Sequence, residues 1–91
     1  MDNDYIFEDS NSRKLSKSEL KGLSKEELRC ARNELYARHG YIFKKKDMQE
    51  YFGTKSWYKP LILADKFDEE ETFNEYEKAN RNLIKEVEES K

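Results

Sequence analysis

The sequence predicts a mainly α fold: a small single-domain bundle of about four helices, with two short extended Tyr-Ile-Phe segments beside the longest helix. Three observations carry this. Ser16 with Glu19 and Ser24 with Glu27 are two successive capping boxes, in which side chains bond the free amides of a helix start. Leu28, Ala31 and Leu35 recur at helical spacing, and at about 100° per residue they form one stripe. The chain is only 35% hydrophobic and 42% charged, yet it holds six Tyr, five Phe and one Trp. Aromatics bury large areas each, and a disordered chain of this charge would lack them.

Residues 1–4 are polar and are expected to fray. Tyr5-Ile6-Phe7 is a short β-prone run, followed by the turn-rich stretch from Glu8 to Ser12. Leu15 and Leu20 bracket the first capping box as a hydrophobic staple, and Gly22 ends that short helix. Leu23 and Leu28 repeat the staple around Ser24, and Gly40 stands where a left-handed closing residue is needed. Tyr41-Ile42-Phe43 then duplicates Tyr5-Ile6-Phe7. The two copies fit either a minimal two-stranded ribbon or a pair of aromatic plugs beside the long helix, and the sequence leaves both open.

Lys45 to Phe52 reads as a third helix, with Met48, Tyr51 and Phe52 on one face and Gly53 closing it. Pro60 forces Lys59 out of the helical region, so Thr54 to Ala64 is a connection with Trp57 and Tyr58 as its aromatic anchor. Asp68 with Glu71 opens the last helix, whose predicted stripe is Phe73, Tyr76, Leu83, Ile84 and Val87 with Asn80 in its middle.

The formal charge of −2 conceals a division. From Arg13 to Pro60, thirteen Lys/Arg face six Asp/Glu, a net +7; from Leu61 onward, five face ten, a net −5. An acidic C-terminal helix neutralising a basic body accounts for this, and a basic surface for an anionic partner is the functional counterpart. Cys30 is alone, so no intramolecular disulfide forms, and its phase, roughly 160° from the stripe, favours a surface or secondary-contact position over a place in the main core. No apolar run suggests a leader or a membrane span in this fragment.

Arg32 and His39 fall inside the apolar stripe of the long helix, and Asn80 inside that of the last one. A structural polar core of Arg32, His39 and Asn80 would bind loop carbonyls, a helix end or a nearby carboxylate. A ligand cleft would instead combine Arg32, Tyr36 and His39 with Trp57 and Tyr58, since aromatic walls with such polar groups hold a sugar or a peptide. Catalysis has little support. One His, one Cys and scattered carboxylates give no metal-ligand spacing and no nucleophile motif, so no catalytic residue, metal or cofactor is assigned. Glu34 would be a glycosidase candidate, but its phase sets it off the core face. No phosphate-binding Gly loop and no aromatic–basic strand platform speak for nucleic acid.

Glu27-Leu28-Arg29, the run from Ala31 to Gly40, Tyr41-Ile42-Phe43, Tyr51-Phe52 and Trp57-Tyr58-Lys59-Pro60 together resemble the YARHG domain family, named for the motif standing here at Tyr36 to Gly40. The likeness extends to Tyr5-Ile6-Phe7 and to Asn74 through Asn80, so all of residues 1–91 read as one such domain. Cys30 departs from an expected aliphatic residue, and Leu61 to Lys66 is more apolar than the usual loop. The resemblance implies a non-catalytic accessory module of a bacterial, extracellular or cell-surface protein, binding peptidoglycan or another anionic envelope polymer; the domain itself is expected to be a monomer. A protein–protein interaction or spacer module without a small ligand is the alternative. It supplies no catalytic residue.

Overall fold

The computed structural model describes residues 5–91, so the fraying expected of residues 1–4 lies outside the described residues. The fold is mainly α. It runs α1 (Lys17–Lys21), α2 (Lys25–Ala37), α3 (Lys46–Gly53), a 3₁₀ turn at Ala64–Lys66, α4 (Glu69–Thr72) and α5 (Glu75–Glu89).

Both Ser-Glu boxes close as expected. The Ser16 and Ser24 hydroxyls accept the amides of Glu19 and Glu27, whose carboxylates accept the Ser amides in return. Gly22 follows α1 in a right-handed conformation, so no left-handed closure is needed there. Gly53 is the final residue of α3 and not a residue beyond it.

The last helix differs from expectation. Asp68 caps only the single turn of α4; Phe73 then turns extended and Asn74 starts α5 with a full capping box to Glu77. The physical reason is competition between two starts. Asn74 and Glu77 satisfy two amides reciprocally, whereas Asp68 accepts one, from Glu70. The break re-phases the helix. Glu77, Asn80, Ile84 and Val87 face inward, and Tyr76, assigned to the stripe by a continuous count, is only half-buried.

α2 is the spine. Leu28, Ala31 and Leu35 meet α5 in one apolar cluster that also holds Leu15, Leu20, Phe73, Ile84 and Val87. The opposite side carries Cys30 and Ala37 into a second cluster with Phe43, Met48 and Phe52. Cys30 is therefore buried, in a secondary contact and not at the surface, the two positions its phase had left open. The phase was right, and α3 and the residues before it cover that side too. Each fully enclosed side chain among Leu20, Leu28, Leu35, Phe52 and Ile84 contributes about 1.5–3 kcal/mol.

The two Tyr-Ile-Phe segments do not pair with each other. Tyr41 forms an isolated parallel bridge with Ile62. The amides of Ile6 and Phe7 donate instead to the buried Glu34 carboxylate at 2.8 and 3.1 Å. Both segments pack at the sides of α2, as plugs.

Candidate functional site

The residues from Tyr36 to Gly40 close α2, and each one holds a different part of the chain. Gly40 has φ +84°, the left-handed value, and the closure is completed by Gly40 N–H to the Ala37 carbonyl and Tyr41 N–H to that of Tyr36. A side chain there would bring its Cβ to 2.8 Å from the Lys59 carbonyl oxygen. The Gly40 carbonyl accepts both Leu61 N–H at 2.8 Å and Ile62 N–H at 2.9 Å, which lashes the later connection to the end of α2.

His39 Nε2 lies 2.7 Å from Glu77 Oε2, a carboxylate whose side chain is only 2% exposed. Its other oxygen accepts the Asn74 amide, so His39 is tied to the first turn of α5. The Arg38 guanidinium sits 4.4 Å from the centre of the Tyr5 ring, which also stacks on Trp57 at 4.7 Å. Ala37 fills the second cluster. The Tyr36 ring packs against Tyr41, Phe67 and Phe73. Burial, with the neighbouring Glu69 carboxylate, pushes its phenol up to about 12.

Other polar side chains complete the frame. Arg32 forks onto Glu88 of α5, Nε to Oε1 at 2.9 Å and Nη2 to Oε2 at 3.3 Å. Asn80 is buried; it accepts the Leu15 amide at 2.8 Å and donates to the carbonyls of Ser10 and Arg13 at 2.7 and 2.9 Å. Glu34 does for the amino-terminal segment what Asn80 does for the next one. Desolvation holds its carboxyl above the usual range despite the two amides it accepts. Burial also raises the Cys30 thiol, the opposite of what a reactive thiolate requires.

Two open clefts adjoin one side of this frame. The larger, about 310 Å³, runs between α2 and the residues around the start of α3, with Arg29, Arg32, Asn33, Tyr41, Lys44 and Lys45 among its lining. The smaller, about 240 Å³, shares Arg32, Asn33 and Tyr41 and adds Tyr36, Ala64, Phe67 and Glu69. Of the five ligand candidates drawn from the sequence, Arg32 and Tyr36 stand on these walls. His39 is turned to α5. Trp57 and Tyr58 belong to the second apolar cluster, where the Tyr58 hydroxyl donates to the Tyr41 carbonyl at 2.6 Å. The five do not share one cleft among the described residues.

Arg29, Asn33, Tyr41, Lys44 and Lys45 were not among the ligand candidates drawn from the sequence, although the net +7 of this half of the chain includes three of them. Arg29 is engaged: both terminal nitrogens reach Asp47, at 2.6 and 3.3 Å, and hold that carboxyl below its usual range. Arg32 is engaged by Glu88, and Glu69 by Arg81. Lys44 and Lys45 make no ion pair among the described residues.

No curated protein and no solved structure matches the chain. A family model described as the YARHG domain does match, over residues 3–89. That span is nearly the whole sequence and contains the α2 closure and its five tethers, so the chain belongs to the YARHG domain family.

Proposed function

We propose that this domain is a non-catalytic accessory module of a bacterial cell-surface protein and that it binds cell-wall or other anionic envelope material. The observation that carries the reading is the pair of adjoining clefts, the larger of which is lined by Lys44 and Lys45, without a carboxylate partner among the described residues. Unpaired ammonium groups beside a concave aromatic wall attract a polyanion and hold it at short range. The non-catalytic part of the reading is supported by the engagement of the acid–base candidates. His39 is bonded to Glu77, and Glu34 to two backbone amides.

Retention of the purified domain on bacterial wall sacculi tests this. Binding is expected at low salt and is expected to fall steeply as salt screens the exposed lysines. Absence of retention at low salt would end the envelope reading in favour of a protein-interaction module. That second reading is supported by Leu61 and Leu63, which are 75% and 56% exposed on the segment held by Gly40.

A further inference from the structure

The clefts contain two kinds of polar group, and the difference between them indicates what they take. Arg29, Arg32 and Glu69 are bonded to Asp47, Glu88 and Arg81, and so belong to the frame. Four polar groups of lining residues make no such bond among the described residues: the ammonium groups of Lys44 and Lys45, the hydroxyl of Tyr41 and the side-chain carbonyl of Asn33. Asn33 is itself oriented, because its amide nitrogen donates to the Arg29 carbonyl at 2.9 Å. Its oxygen is thereby left as an acceptor. Tyr41 and Asn33 line both clefts, whereas the two lysines line the larger one only.

We propose that the two clefts form one site for an anionic saccharide. Lys44 and Lys45 meet its carboxylate or phosphate. The half-buried Tyr41 ring, fixed at 5.3 Å from Tyr36 and 5.2 Å from Phe67, offers an apolar surface to a sugar ring. The Tyr41 hydroxyl and the Asn33 carbonyl then bond hydroxyl or acetamido groups of the same residue or its neighbour. The chemistry needs both halves: ammonium groups alone would bind any small anion, and a tyrosine with one amide would bind neutral sugars weakly and without charge preference. A volume of about 310 Å³ beside one of about 240 Å³ suits a short run of sugar units and exceeds what a bare anion fills.

This inference rests on the envelope-binding reading and narrows it to a ligand class. The test is titration of the whole domain, followed by backbone NMR shifts, with four probes: a tetrasaccharide alternating glucuronate and N-acetylglucosamine, a glycosyl phosphate, the neutral tetramer of N-acetylglucosamine, and inorganic phosphate. The expected result is that an acidic saccharide binds at least about tenfold more tightly than the neutral tetramer or phosphate, as charge-assisted bonds would give. Which acidic probe binds better separates a carboxylate from a phosphate ligand. Shifts should map to Asn33, Tyr41, Lys44 and Lys45. Lys44→Ala with Lys45→Ala, both exposed and without ion-pair partners among the described residues, should lose that preference while folding normally. Tyr41→Phe should weaken acidic and neutral saccharides alike and leave phosphate unchanged. Equal binding of phosphate and acidic saccharide, or of neutral and acidic saccharide, would overturn the proposal. Failure of all four probes while sacculi still retain the domain would overturn it too, leaving the broader reading intact. Loss of sacculus retention as well would remove that reading.

Discussion

Buried charge in this domain sits on backbone amides and cross-helix partners, and Glu34 is the sharpest case. Its two oxygens take the amides of Ile6 and Phe7, fixing an amino-terminal segment that has no helix among its described residues. Burial nevertheless raises its pKa above the ordinary 4.5. The folded state therefore holds the Glu34 proton more tightly than the unfolded chain does. The stability this provides is fully present below pH 4.5 and is lost as pH rises through the raised value. Measured by urea unfolding across that window, wild type should lose stability relative to Glu34→Gln as pH increases. A flat difference would mean that the carboxyl is not desolvated. This residue was the hardest to read in the sequence. Its phase lies between the two apolar faces of α2, and nothing local distinguishes an inward carboxylate from a solvated one.

At the scale of elements, three capping boxes set where α1, α2 and α5 begin, whereas α3 starts after Lys45 with no side-chain cap. Two were legible, because Ser with Glu three residues later stands directly before a helical stripe. The third, Asn74 with Glu77, was hidden by the acidic run from Asp68 to Glu71, which offered an earlier start and made one long helix of two. The box also connects elements, since the Asn74 side-chain nitrogen donates to the Asn11 carbonyl at 2.9 Å. Asn74→Ala should cost about 1–2 kcal/mol, the range of a lost helix cap, seen as a lower midpoint in thermal unfolding by circular dichroism. Asn74→Asp should retain most of it. If Asn74→Ala were silent, α5 would be positioned by packing alone. Cys30 gives the complementary lesson. Its angular position was legible, but whether a second layer covers that face depends on α3, which only the tertiary structure supplies.

For the molecule as a whole, α2 separates two apolar clusters and belongs to both. Ile6 and Tyr36 also touch the two, so neither cluster has a boundary of its own. Unfolding should accordingly be a single step, with far-ultraviolet circular dichroism and Trp57 fluorescence giving coincident transitions. Separate transitions would mean that the second cluster opens independently. The division of charge has a structural component at this scale. Lys17 pairs with Glu86 and Arg32 with Glu88, joining the basic body to the acidic α5, while Lys44 and Lys45 stay outside that exchange. The mainly helical class was legible from caps and aromatic content. The clefts were not, because their walls come from segments distant in sequence and their unengaged groups are known only once the partners of the others are seen.

The central claim is that Tyr36 to Gly40 holds the fold together and that ligand chemistry lies beside it. His39 decides between these roles, being the motif residue that most invites a functional reading. The unfolding free energy of His39→Ala tests it most directly. Removing the imidazole leaves Oε2 of the nearly enclosed Glu77 carboxylate without its partner, with only Oε1 still bonded to the Asn74 amide, and stability should fall by about 1–3 kcal/mol. An unfolding free energy equal to that of wild type would contradict the account.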